Sequence, residues 1–204
     1  MATLLDVSPP RAMTPHATPH ATMRERVLDA AVRLTSEVGW SHVTMARLAD
    51  EVGVSRQTVY NEMGTKKGLA EAMILRELDR FLMVVTAAFD DHDADLVGAV
   101  RAAARAVLEH AQDNRLLHAV VSATHGADTE LLPLLTTHAQ SLLTVAKAVI
   151  AERLTPYDVP LSADRLDAAI DMVVRVVLSH VMQPSASPAD TADDISWIAD
   201  RVLR

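Results

Sequence analysis

Residues 44–60 read TMARLADEVGVSRQTVY, and their spacing decides the fold. Thr44 is an N-cap residue ahead of Leu48, Ala49 and Val52, which recur on one face of a short helix. Gly53 ends that helix and permits the tight turn. Ser55 then caps a second short helix, Arg56 to about Glu62, and Gly64 ends it. Leu48 and Ala49 face Val59 across the turn, and Val54 plugs the angle between the helices. Arg56, Gln57, Thr58, Tyr60 and Asn61 are left on the outer surface. This is the shape of a helix-turn-helix. Its second helix begins with the small polar and forked side chains that the DNA major groove requires. Arg56 suits guanine, Gln57 or Asn61 suits adenine, and Thr58 offers a methyl and a hydroxyl. Tyr60 suits a phosphate oxygen, its ring lying against the backbone, and the hydroxyls of Thr44, Ser55 and Thr65 complete the expected DNA-contacting set.

On the N-terminal side, Thr22-Met-Arg-Glu25 is a capping box, in which hydroxyl and carboxylate each satisfy an orphan N–H. Val27, Ala30, Ala31, Leu34 and Val38 follow at helical spacing, and Gly39 supplies a left-handed stop. On the C-terminal side, Thr65 opens a long helix whose pattern runs to about Phe89. Its first turn carries Lys66 and Lys67, and free N–H groups beside two cations suit a phosphate. Helices are expected at about 94–112, 114–124, 129–154, 163–182 and 188–203, and no alternating strand pattern bounded by turn residues is present. The expected fold is all-α, with about nine helices. A tail at 1–21 precedes a three-helix head at 22–68 and a helical body at 69–204. The tail holds four of the nine prolines and reads as disordered. His16 and His20 match a helical metal pair in spacing, but Pro15 and Pro19 forbid the helix. Met1, Met13 and Met23 are all candidate starts.

Charge sharpens the partner. The total is −8, which argues against nucleic acid until it is divided. Residues 22–68 hold seven Lys/Arg against six Asp/Glu, whereas residues 69–204 hold eleven against twenty. The head is +1 and the body −9, so DNA is approached by the head alone, through Arg56, Lys66, Lys67 and the arginines of the first helix. Binding of this kind is strongly salt-dependent. There are no cysteines, which excludes disulfides, thiolate metal sites and a Cys nucleophile. No apolar run reaches the roughly 18 residues of a membrane span, and the N-terminus lacks a signal-peptide pattern. A cytoplasmic protein is expected, without cofactor or metal. No nucleophile–base spacing, metal cluster or phosphate loop supports an enzyme.

The stretch from Arg24 to Leu69 resembles the DNA-binding region of the tetracycline-repressor (TetR) family. The resemblance rests on Val27-Leu28-x-Ala30-Ala31, Gly39, Thr44, Leu48-Ala49, Gly53-Val54-Ser55, Thr58-Val59-Tyr60 and Lys66-x-x-Leu69. Three positions depart from the family pattern. Met63 replaces a usual aromatic and can fill the same gap. Glu62 stands where a His is frequent, and it repels a phosphate. Lys67 stands where an acid is common. The resemblance implies a homodimer placing two recognition helices in successive major grooves, about 34–36 Å apart on a near-palindromic operator. It also implies a C-terminal domain that binds a small effector and usually releases repression. The final stretch, SASPADTADDISWIADRVL, looks like a subgroup linked to alkane, fatty-acid or lactone metabolism.

Within the body, Leu131, Leu135, His138, Leu142, Val145 and Val149 form one stripe. Leu117, Val121 and Thr124 offer further lining, with His125 or Arg115 as a polar end. A hydrophobic effector suits such a wall, although a core histidine satisfied by a neighbour is the commoner role for His138. Ile170, Val174, Val177, Leu178, Val181, Ile195, Ile198 and Val202 exceed a monomer's needs and form the expected dimer interface, with Asp171 and Arg175 spaced to pair. Asp90, Asp91, Asp93 and Asp95 fail as an EF-hand, because Leu96 and Ala102 stand where Gly and Glu are needed. They read as a solvated loop that caps the next helix. The expected function is a ligand-responsive repressor of transcription. A constitutive or architectural DNA-binding protein and a small all-helical enzyme with an apolar pocket are the alternatives.

Overall fold

The computed structural model describes residues 21–124 and 132–203, the side chains at 122–124 and 132–139 excepted. All regular structure among them is helical: α1 Met23–Val38, a 3-10 turn Trp40–His42, α2 Met45–Val52, α3 Arg56–Met63 and α4 Lys66–Asp90. The body follows as α5 Leu96–Gln112, α6 Arg115–Thr124, α7 Leu132–Leu154, α8 Ala163–Met182 and α9 Pro188–Leu203. The all-α class and the helix-turn-helix are as the spacing predicts. The tail with His16 and His20, and the expected start of α7 at 129, lie outside the described residues.

Local chemistry sets the helix ends. The Thr22 hydroxyl accepts the Glu25 N–H at 3.2 Å, and Glu25 Oε2 accepts the Thr22 N–H at 2.6 Å. These bonds to Thr22 hold the Glu25 carboxyl below its ordinary range. Gly39 ends α1 with a positive φ of 85 but an extended ψ of 156, so the expected left-handed helical closure is not made there. It is made at the end of α2, where Gly53 sits at φ 75, ψ 41. The Val54 N–H reaches the Ala49 carbonyl at 2.9 Å and the Gly53 N–H reaches that of Asp50 at 3.3 Å, a Schellman closure that only a left-handed residue completes. Asp95 caps α5 through the Gly98 N–H at 3.0 Å. Asp90 pairs with Arg153 at 2.6 Å, so part of the aspartate loop is spent on helix α7. Nearby, the Tyr157 hydroxyl donates to the His92 carbonyl at 2.9 Å. Burial, then the charges of Asp93, Asp95 and Asp90, push its phenol above the ordinary range.

Three apolar clusters hold the chain together. The first joins α1, Trp40, Val43, α2, α3 and the first turns of α4. It also takes Leu116 and Val120 from α6, so the core of the head reaches well past residue 68. The second joins Val85, Ala88 and Phe89 of α4 to Ala99 and Ala103 of α5, Leu154 of α7, and Ile170 and Val174 of α8. In the third, Ala104 meets Ala192 and Ile195 of α9. Helix α5 lies at the centre of the body, and its buried alanines let α4 and α9 approach closely.

Candidate nucleic-acid interface

The platform is rigid before any partner arrives. Leu48 and Val59 are fully buried, Ala49 nearly so, and Val54 packs against the same cluster. Burying a Leu or Val side chain is worth about 1.5–3 kcal/mol each, so this contact fixes α3 on α2. Met63 is 5% exposed and occupies the core where an aromatic is usual.

The outer face of α3 carries exposed Arg56, Gln57, Tyr60 and Asn61, with Thr58 half-buried. Gln57 Nε2 donates to Asn61 Oδ1 at 2.9 Å, which presents the two amides as one unit. Ser55 caps α3 by accepting the Thr58 N–H at 3.1 Å, and the two hydroxyls lie 2.9 Å apart. Thr44 and Thr65 do the same for α2 and α4, accepting from Arg47 and Gly68, both at 3.1 Å. The three hydroxyls assigned to DNA contact therefore already serve as helix caps. Removing one loosens a helix start as well as any contact it makes.

The cations divide into two groups. Arg24 donates to the Glu62 carbonyl at 2.6 Å and Arg26 to the Val52 carbonyl at 2.8 Å. The arginines of α1 thus satisfy the carbonyl ends of α3 and α2, and Arg24 brings positive charge to the residue whose own side chain repels phosphate. Lys66 Nζ lies 5.0 Å from the Trp40 ring centroid, and Lys67 stands 3.7 Å from Glu71 while remaining 72% exposed. Arg56 is exposed and has no acidic partner within 4 Å among the described residues. Arg47 on α2 shares both properties, and the sequence pattern passes over it because α2 looks like support.

The residues expected to line an effector site are only partly among those described. Arg115 is exposed, while Leu117, Val121 and Leu142 are half-buried. His125 and the side chains of Leu135 and His138 lie outside the described residues. A cavity of about 70 Å³ opens between α5, α6, α8 and α9, lined among others by Leu108, His118, His180, Val181 and Thr191. It is far below the roughly 300 Å³ at which sites for drug-sized ligands begin. On α8 and α9, Ile170, Val174 and Ile195, expected at a dimer interface, are instead spent on the chain's own core, at 4–8% exposure. Val177 and Val181 are half-buried. Leu178, Ile198 and Val202 are exposed, and Met172, Met182 and Trp197 join them. The Arg201 guanidinium lies 4.2 Å from the Trp197 ring centroid, and Arg175 binds Asp171 at 2.7 Å. That bond holds the Asp171 carboxyl below its usual range.

Comparison with known proteins agrees with this geometry. The family model described as "Bacterial regulatory proteins, tetR family" matches residues 27–73, and "Bacterial Tetracyclin repressor, C-terminal domain" matches residues 95–201. The HTH-type transcriptional regulator AlkX of Mycobacterium tuberculosis is 31% identical over 176 residues, covering 86% of this chain and 82% of that protein. Among solved structures, the TetR family repressor AlkX of a Dietzia species, implicated in biodegradation of n-alkanes, is 26% identical. Its TM-score is 0.69 over 89% of this chain and 95% of that one. FadR of Bacillus subtilis, solved with stearoyl-CoA, shares the fold at 13% identity and a TM-score of 0.59, over 87% and 96%. No described helix is long and apolar enough to cross a membrane. The chain belongs to the TetR family of bacterial transcriptional regulators, and α2 and α3 form its DNA-binding helix-turn-helix.

Proposed function

We propose that the protein is a homodimeric repressor that works in the cytoplasm, binds a near-palindromic operator, and is released by a small hydrophobic effector. The outer face of α3 carries this reading. Arg56 and the bonded Gln57–Asn61 pair are exposed on a helix locked to its support, the form direct base readout needs. Tyr60, Lys67 and Arg47 contact phosphates, and Thr44, Ser55, Thr65 and Lys66 hold the helix starts beside them. The head at 22–68 reads DNA, and the body at 69–204 pairs the chains and senses the effector.

Dimerisation uses Leu178, Val181 and Met182 of α8 with Trp197, Ile198 and Val202 of α9, as two helices from each chain. The half-buried or exposed apolar side chains on these helices support it. The Dietzia AlkX repressor, implicated in biodegradation of n-alkanes, and FadR with its bound stearoyl-CoA support an alkane-derived or fatty-acid-like effector, held by the body through Arg115, Leu117, Val121, His125, Leu135, His138 and Leu142. The effector acts only by binding two conformations of the dimer unequally.

A gel-shift titration on the DNA upstream of the protein's own gene tests this reading. The native chain shifts it, and Arg56→Ala combined with Tyr60→Ala abolishes the shift. Unchanged binding by the double variant ends the assignment of α3.

A further inference from the structure

Side chains from α4, α5 and the turn before α6 meet at Glu77 in the middle of α4. His110 Nε2 of α5 lies 3.2 Å from Glu77 Oε1, and the Asn114 amide donates to the same oxygen. Arg80 reaches the other oxygen at 3.4 Å. The Glu77 side chain is 13% exposed and Asn114 is 8% exposed, so water competes little for these bonds. The Phe81 and His110 rings meet at 89°, with centroids 4.7 Å apart.

Asn114 does a second job. Its Oδ1 accepts the Leu117 N–H at 2.8 Å and so caps α6. One amide therefore ties the start of α6 to α4. These are the two helices on which the head is mounted. Leu116 and Val120 of α6 lie in the core of the head. On α4, Arg76, the residue before Glu77, bridges to Asp29 of α1 at 2.8 Å. Leu108, Ala111, Gln112 and His118, which flank His110 and Asn114 in the chain, line the cavity of about 70 Å³.

We propose that Glu77, His110 and Asn114 form the joint that fixes the angle of the head on the body, and with it the separation of the two recognition helices in the dimer. They are positioning residues and touch no DNA. The proposal rests on the dimeric operator-binding reading above. A head freed from the joint samples orientations that miss one of the two grooves, so ordering is deferred to the moment of binding and affinity falls.

The test compares the full-length native chain with Asn114→Ser, Asn114→Asp and Glu77→Gln. Ser and Asp both keep an oxygen able to cap α6 and both lose the amide donor to Glu77. Gln at 77 keeps an acceptor and is the conservative control. Each protein is titrated on the upstream operator, on the same DNA with one base pair inserted between half-sites (about 3.4 Å of rise), and on an isolated half-site. The native chain is expected to lose about tenfold in affinity on the lengthened site. The Asn114 variants bind the parent site about tenfold more weakly and discriminate the two spacings by less than about threefold, with half-site binding unchanged and Glu77→Gln near native. Native spacing discrimination in both Asn114 variants overturns the joint. So does a parallel loss on the half-site, which marks damage to the head itself. A native chain that ignores half-site arrangement altogether fails the dimeric operator reading instead.

Discussion

Replacing Gly68 with Ala sets two effects of known size against each other. Gly68 is the third residue of α4, and alanine exceeds glycine there by roughly 1 kcal/mol of helix propensity. A Cβ at this position meets the carbonyl oxygen of Met63, the last residue of α3, at 2.7 Å. Carbon and carbonyl oxygen rest comfortably at about 3.3–3.6 Å, so several tenths of an ångström must open. The oxygen belongs to the backbone and cannot rotate away. Either α3 shifts, or α4 starts later and gives up the Thr65 cap on the Gly68 N–H, worth about 1 kcal/mol. Overpacking of this kind costs about 1–3 kcal/mol, which cancels the propensity gain and leaves a loss of up to about 2 kcal/mol. Differential scanning calorimetry should show a melting temperature lower by up to about 4–8 °C. Because α3 carries the recognition face, operator affinity measured well below the transition should fall as well. Gly53→Ala is the contrast. Nothing lies within 4 Å of its Cβ and only the φ of +75 is strained, so it costs about 1–2 kcal/mol while leaving α3 in place and operator affinity nearly unchanged. A Gly68→Ala protein that melts higher and binds the operator as the native chain does refutes the close-contact reasoning.

Further outcomes follow from the same structure. Leu48→Ala empties a fully buried site between α2 and α3 and should cost about 2–5 kcal/mol in denaturant unfolding; a loss under about 1 kcal/mol contradicts the packing described. Leu178→Glu with Ile198→Glu places like charges on the exposed faces of α8 and α9, and analytical ultracentrifugation should show a monomer that retains its helical circular dichroism. Persistence of the dimer locates the interface elsewhere. The Glu25 carboxyl is held below its ordinary 4.5, so its contribution is complete above that value and fades as pH falls through the lowered one. Glu25→Gln should flatten the acid side of the stability profile below about pH 4.5 and leave it unaltered if the capping box is not formed.

Much of this was legible in the sequence because local rules and packing agree. Thr22, Thr44, Ser55 and Thr65 each precede an apolar repeat of the correct period, and each accepts the expected backbone N–H. Gly53 marks the turn from α2 into α3, and the chain turns there. The uses of charged and polar groups across the fold were not legible. Arg24 and Arg26 look like free cations facing DNA, yet sequence separations of 38 and 26 residues hide the carbonyls they bind. Glu77, His110 and Asn114 are spread over α4, α5 and the turn before α6, and nothing in their spacing announces a common oxygen. Ile170, Val174 and Ile195 share the periodicity of Leu178 and Ile198. Periodicity locates an apolar face, but not which residues the chain buries within itself and which it leaves exposed.

Hydroxyl-radical footprinting of the upstream DNA tests the central claim most directly. A dimer reading successive major grooves through α3 should protect two half-sites centred about 10–10.5 base pairs, or 34–36 Å, apart on one face of the duplex. The protection should vanish in the Arg56→Ala, Tyr60→Ala protein. A single protected half-site, or two that persist in that variant, contradicts it.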